Sequence, residues 1–362
     1  MNLTSRRDFL HRSAAAVALA GHLPHISGAR RKEKLGFALV GLGNLSTNQL
    51  APAFARSQFC RLAGIVTGTP AKAARWKERY GIPDRSIYNY DTMDRMRDNP
   101  DIDVVYVVTP NALHAEHTIK AARAGKHVLC EKPMEVSGER CQAMIDECRR
   151  TGRMLAVAYR CQFEPHHLEL VRLAREKTFG DLRLIDAGFG FPIGDPTQWR
   201  LNRSLSGGGP LMDVGIYALQ SARMITGQEP VSVSATTTKT DPVKFRDVEE
   251  TMSFQLTFPG AVMASCLTSY KFGINRVTAI ADRGRFGLEP AYNYDAPHGF
   301  RSDGQPLAFT PVDVFAAEMD DFAQCIQAGR PTKVPGEEGL RDIRIMTATY
   351  EAARTGRTVP LG

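Results

Sequence analysis

From Gly36 onward the chain alternates short, wholly apolar runs with amphipathic ones. Residues 37–40, 61–66, 103–108, 127–130 and 154–158 read as buried strands. Residues 47–56, 70–80, 114–124 and the stretch around 144–148 read as helices. Strands that are apolar on both faces and separated by helices predict a doubly wound, parallel α/β sheet. Beyond about residue 160 the rhythm changes. Residues 182–191, 231–238, 251–258, 262–269 and 275–281 alternate with period two, which predicts an open, mostly antiparallel sheet with one covered face. Helices over 315–328 and 337–355 are expected to pack back on both parts.

At 362 residues the chain exceeds one average domain, in line with that change of rhythm. It is 43% hydrophobic and 23% charged, and it has no apolar run long enough to span a bilayer, so no stable membrane anchor is expected. The net charge of +7 comes without a basic-aromatic tract, which argues against nucleic acid as a partner. The seven cysteines, an odd number, show no metal-ligand spacing, and most of them read as small core hydrophobes. The amino terminus changes the picture more. Ser5-Arg6-Arg7-Asp8-Phe9-Leu10 is a twin-arginine pattern, followed by an alanine-rich stretch from Ala14 to Ala20 and small residues at Ser27-Gly28-Ala29. It predicts a leader over residues 1–29, passage through the twin-arginine translocation machinery and a periplasmic protein.

Candidate chemistry begins at Gly41-Leu42-Gly43-Asn44-Leu45-Ser46, between the first strand and its helix. Glycines in such a loop let backbone approach a pyrophosphate, and the following helix points its dipole at it. The second strand ends Val66-Thr67-Gly68-Thr69, without the acid that bonds an NAD ribose, and Lys72 follows in the next helical turn. Small hydroxyls and a lysine suit a 2′-phosphate, so NADP is the expected cofactor. Residues 30–160 are accordingly read as an NADP-binding Rossmann domain, and 161–362 as an α+β substrate and oligomerisation domain.

Glu131-Lys132-Pro133 closes the strand at 127–130, at the carboxyl edge where α/β sheets bind ligands. There Lys132 is placed to give or take a proton; the plainer reading is a surface Glu-Lys pair before a turn. Downstream, Gly207-Gly208-Gly209 is expected to let backbone approach a bound ligand. Asp213 and Tyr217, four apart, face the same way on a helix. Tyr217 beside a lysine makes an acid-base pair in which the cation favours phenolate, and Asp213 orients the substrate or the lysine. The structural alternative has Asp213 capping a helix and Tyr217 packed in the core.

Together these residues resemble the Gfo/Idh/MocA oxidoreductase family, and within it the glucose-fructose oxidoreductase type. The resemblance rests on Gly41-Leu42-Gly43, residues 124–133, Tyr159-Arg160-Cys161, Gln198-Trp199-Arg200-Leu201, residues 207–217, Pro335-Gly-Glu-Glu-Gly339 and residues 350–357. It implies NADP at the carboxyl edge of the parallel strands, with Lys132 and Tyr217 handling a sugar hydroxyl proton during hydride transfer. It further implies that Thr109, Pro110, Asn111 and His114 line the cofactor and that Arg160, Trp199 and Arg200 close over it. Tyr90 and Glu131 complete the expected cofactor set. Assembly as a homodimer or homotetramer through the open sheet is expected. Many relatives carry His where this chain has Tyr217. The glucose-fructose type carries a proline-rich arm before its first strand, whereas only Arg30 to Leu35 separate leader and strand here.

An exported enzyme without an external NADP pool is expected to retain its cofactor and recycle it. That implies oxidation of an aldose to its lactone coupled to reduction of a second sugar, fructose or another aldose. The competing expectations are an ordinary NADP-dependent sugar dehydrogenase with exchangeable cofactor, an exported NAD-dependent glycosidase, and a sugar or cofactor sensor.

Overall fold

Two wholly buried strands occupy the centre of a six-stranded parallel sheet. A computed structural model describes residues 32–294 and 297–362, so the leader expected at 1–29 lies outside the described residues. The strands are β1 (Leu35–Val40), β2 (Cys60–Val66), β3 (Ile87–Tyr88), β4 (Val104–Val107), β5 (His127–Glu131) and β6 (Leu155–Ala158). Their order is β3-β2-β1-β4-β5-β6. Every residue of β1 and β4 is buried, as expected where helices cover both faces. The order reverses between β1 and β4, which opens a crevice above their carboxyl ends, the usual place for a ligand in such sheets.

Helices α1 (Pro70–Tyr80), α2 (His114–Arg123) and α3 (Gly138–Arg150) flank the sheet. Ser137 caps α3 by accepting the Arg140 backbone N–H at 3.3 Å. The helix expected over 47–56 is shorter and irregular. A wide turn, Ser46–Leu50, runs into Ala51–Ala53, and tighter bonds from Ala55 and Arg56 then end it. Pro52 has no backbone N–H to donate, which breaks the regular ladder there.

Beyond α4 (Pro165–Arg175) lies an eight-stranded sheet in the order β13-β12-β11-β7-β10-β9-β8-β14. Its strands are β7 (Leu182–Gly190), β8 (Ser232–Thr238), β9 (Thr251–Thr257), β10 (Met263–Ser269), β11 (Ile274–Ala281), β12 (Gly284–Leu288), β13 (Gly299–Arg301) and β14 (Val359–Pro360). Among the described strands of this sheet, only β7 and β10 pair in parallel. Strands β12, β13 and β14 escape a periodicity reading because they are short. In β9 the inward Met252, Phe254 and Leu256 are buried, while Ser253 and Gln255 face out. Helices α5 (Ile216–Thr226) and α7 (Gly336–Thr355) cover the inner face. On the outer face Met263 and Ile280 remain 41% and 37% exposed. Helix α6 (Val314–Ala328), capped by Asp313, packs beside β2 and the segment after β6.

All seven cysteines are buried and unpaired, as their spacing suggested. Among the described residues no helix is long and apolar enough to cross a membrane, and no cluster of His, Cys, Asp and Glu could hold a metal ion.

Candidate active site

A cleft of about 940 Å³ lies over the carboxyl ends of β1, β2, β4 and β5, and its opposite wall is built from β7, α5 and the segment after β12. Its nucleotide end begins at Gly41, whose φ of 94° and tight surroundings require glycine; a Cβ there would stand 2.8 Å from the Val108 carbonyl oxygen. Ser46, at the third small position of the loop, donates its hydroxyl to the Gly41 carbonyl at 2.6 Å. Leu42, Gly43, Asn44 and Leu45 continue the wall, with open space at Gly43. At the end of β2, Thr67 accepts the Thr69 N–H at 3.2 Å, and Gly68 lies against the ring of Tyr90. Lys72 reaches back from α1 and donates to the Leu42 carbonyl at 3.2 Å. A close-walled glycine cradle, a lysine above it and no acid at the strand end fit a dinucleotide bearing a 2′-phosphate. Gly41→Ala is expected to cost about 1–2 kcal/mol of stability from the left-handed backbone alone. It should also weaken nucleotide binding; thermal denaturation and a nucleotide titration check both.

The opposite end centres on Lys132, which β5 delivers to the cleft. Its ammonium donates to the Asp213 carbonyl at 2.7 Å and lies 3.7 Å from Asp213 Oδ1. Arg200 Nε and the Tyr270 hydroxyl both donate to Asp213 Oδ2, each at 2.9 Å. Burial pushes the Asp213 carboxyl up, but Arg200 and Lys132 outweigh it and hold the group below its ordinary range. Asp213 is therefore an ionised anchor for two cations, which excludes its reading as a mere helix cap.

Tyr217 departs from expectation in its partner. Lys132 Nζ lies over the face of its ring, 4.8 Å from the centroid, while the hydroxyl accepts from Arg160 Nε at 3.1 Å. Burial raises the Tyr217 phenol well above its ordinary value, and Arg160 pulls the other way without reversing it. The expected phenolate, favoured by Lys132, is thus corrected to a neutral phenol held by Arg160. Arg160 is itself buried, and donates to the carbonyls of Tyr292 at 2.6 Å and Asn293 at 3.3 Å.

Between the two ends, Thr109, Pro110, Asn111 and Glu131 line the cleft, and Trp199 lies under the Arg200 guanidinium at 4.7 Å. His114 lines the cleft as expected and also braces its wall. It is fully buried, with its ring nitrogens 2.7 Å from the Thr109 carbonyl and 3.0 Å from the Pro133 carbonyl. Burial lowers its pKa to about 4 while the two carbonyls pull it up, and the ring acts as a strut between the loops after β4 and β5. Asn111 donates to the Ser206 carbonyl at 2.8 Å and ties the first sheet's loop to the glycine segment.

The expectation for Gly207-Gly208-Gly209 is also corrected. A Cβ at Gly208 would stand 1.9 Å from the Tyr350 hydroxyl, and one at Gly209 2.4 Å from the Glu249 carbonyl oxygen. These glycines admit protein, not ligand. Glu249 accepts from the Gly209 and Leu211 N–H groups at 3.0 and 3.1 Å and from the Tyr350 hydroxyl at 2.9 Å. That fixes the wide turn Leu211–Gly215, which carries Asp213 and runs directly into α5 with Tyr217. Sequence reasoning missed Tyr270, Tyr292, Tyr294 and Phe189. Phe189 had a signal in the alternation of β7; the tyrosines lie at strand ends and in loops, where no period marks them.

The fold and cleft define a two-domain architecture of the nucleotide-dependent oxidoreductase class. Residues 35–159 match the Gfo/Idh/MocA oxidoreductase family with its NAD-binding Rossmann fold, and residues 167–286 and 289–361 match the family's C-terminal domains. The chain belongs to the Gfo/Idh/MocA family and is an oxidoreductase. The crystal structure of aldose-aldose oxidoreductase from Caulobacter crescentus, complexed with glycerol, is similar to it with 45% identity and a TM-score of 0.88, over 91% of this chain and 100% of that one. The NADP-dependent D-xylose 1-dehydrogenase of Haloarcula marismortui is 33% identical over 335 residues, 90% of this chain and 92% of the relative. The D-glucoside 3-dehydrogenase of Escherichia coli is 26% identical over 358 residues, 93% of this chain and all of the relative.

Proposed function

We propose that the protein is an NADP-dependent sugar oxidoreductase that oxidises an aldose at C1 to its lactone and reduces a second aldose on the same, retained cofactor. The observation that carries this reading is the joining, in one cleft, of the Gly41 cradle and Lys72 to Lys132 and Tyr217. The similarity to an aldose-aldose oxidoreductase supports a second aldose as acceptor in place of fructose. Bound NADP would lie against Gly41, Gly43 and Lys72 and supply the hydride acceptor and donor. Lys132 and Tyr217 hold the sugar hydroxyl and move its proton, Asp213 orients Lys132, and Arg160 orients Tyr217. Export by the twin-arginine route and assembly through the outer face of the second sheet belong to the same reading.

The test is a spectrum of purified, desalted protein before and after addition of glucose. Retained nicotinamide reduced by glucose and reoxidised by a second aldose, with lactone and alditol formed in equal amounts, is the expected result. Activity that depends wholly on added NADP would favour the second reading, a dehydrogenase with exchangeable cofactor, which the similarity to D-xylose 1-dehydrogenase supports. Lys72→Ala separates NADP from NAD. Loss of a charged hydrogen bond to the 2′-phosphate is expected to weaken NADP about tenfold or more while leaving NAD unchanged, read by fluorescence titration.

A further inference from the structure

Behind the cleft wall stands a buried arrangement that the chemistry above does not use. The Tyr106 hydroxyl lies 2.8 Å from Glu131 Oε1 and 2.9 Å from Glu318 Oε1. Tyr106 is fully buried, Glu318 is 1% exposed and Glu131 is 8% exposed at the cleft surface. A phenol carries one hydrogen, so it can donate to only one of the two oxygens. If both acids were ionised, the other contact would set lone pair against lone pair at hydrogen-bonding distance, inside the core. One carboxyl must therefore carry a proton and donate it to the phenol oxygen.

The surroundings choose which. Burial pushes the Glu131 carboxyl up, but Glu131 faces Lys132 and Arg160 as well as Tyr217 and Tyr294, and the two cations favour its charged form. Glu318, from α6, faces Glu131, Tyr106, Arg160 and Cys161, and its Oε2 is buried without a hydrogen-bond partner among the described residues. An anion there would lack solvation on one whole oxygen, whereas the carbonyl oxygen of a neutral acid bears that at smaller cost. We propose that Glu318, Tyr106 and Glu131 form a one-proton chain, Glu318 Oε1–H to Tyr106 Oη and Tyr106 O–H to Glu131 Oε1. In this chain Glu318 and Tyr106 are positioning residues that present Glu131 to the cleft as a carboxylate of fixed charge and direction, beside Lys132.

The first arm of the test needs neither cofactor nor substrate, so its failure is separable from failure of the sugar-oxidoreductase reading on which the positioning role rests. Infrared spectra of the full chain as purified, at neutral pH, should contain the carbonyl stretch of a neutral carboxylic acid that Glu318→Gln removes. In Tyr106→Phe the band should persist but move to the frequency of an acid without an acceptor. A wild-type spectrum from which Glu318→Gln removes no acid band, or a band unmoved in Tyr106→Phe, overturns the proton assignment. The second arm is the pH profile of kcat/KM in Tyr106→Phe. Glu131 loses the donor that favours its charged form, so the acidic limb is expected to move up by about one unit, a tenfold loss at the foot of the profile. An unmoved limb overturns the positioning role.

Discussion

Lys132→Met is expected to lower kcat about a thousandfold, the range lost with a general acid-base group, and to leave nucleotide affinity within a few-fold. The side chain sits at the end of β5 with 13% of its surface exposed, and its ammonium bonds the Asp213 carbonyl. Methionine keeps the length and apolar stem of lysine while removing the proton. The pocket should survive the change because Asp213 retains Arg200 and Tyr270 at 2.9 Å. Steady-state kinetics paired with a nucleotide titration distinguish the outcomes. A loss below tenfold would remove Lys132 from proton handling. A parallel collapse of nucleotide binding would make it a structural residue.

Asp342→Ala has the largest expected effect on stability, about 3–5 kcal/mol, because it breaks a buried ion pair on one side only. Asp342 is fully buried on α7 and accepts from Arg223 Nη1 at 2.7 Å, from the Tyr159 hydroxyl at 2.5 Å and from Gln220 Nε2. Removing it leaves Arg223 with only Glu229 and Glu338, which are more exposed, and leaves Tyr159 and Gln220 without their shared acceptor. Against a native margin of about 5–15 kcal/mol, that is a large share. Urea unfolding measures it, and a change under about 1 kcal/mol would mean that Glu229 and Glu338 suffice for the arginine. Because Tyr159 follows β6 and Arg223 belongs to α5, the loss should also loosen the seat of Tyr217.

The parallel sheet was legible because its strands are apolar on both faces, and β1 and β4 need no partner to announce themselves. The site was legible where chemistry and chain position coincide. Gly41 precedes a helix, Lys72 stands in the first turn of another, and Lys132 ends a strand, so local pattern alone places each at the carboxyl edge. The bonding within the site was not legible, since it joins residues distant in the chain. Nothing near Tyr217 signals that Arg160 will hold its hydroxyl, and nothing near Asp213 points to Tyr270. The triple glycine misled for the same reason: a glycine run shows that something comes close, not whether it is a ligand or Tyr350. His114 was placed correctly in the lining, but its bonds to the Thr109 and Pro133 carbonyls depend on burial, which the sequence does not display.

The contact of Gly208 with Tyr350 has a bearing on how the cleft is supported. The turn that carries Asp213 is held by Glu249 and by a tyrosine on α7, more than 130 positions later in the chain. The contacts that shape the loop at Gly41 come from Val108 and Thr109, early in the chain, whereas the turn that anchors Lys132 gains its last contact only from α7. The two ends of the cleft therefore draw on different parts of the chain, and a change in the carboxyl-terminal helix reaches the seat of Asp213 and Lys132 through Tyr350 while leaving the contacts of Gly41 untouched.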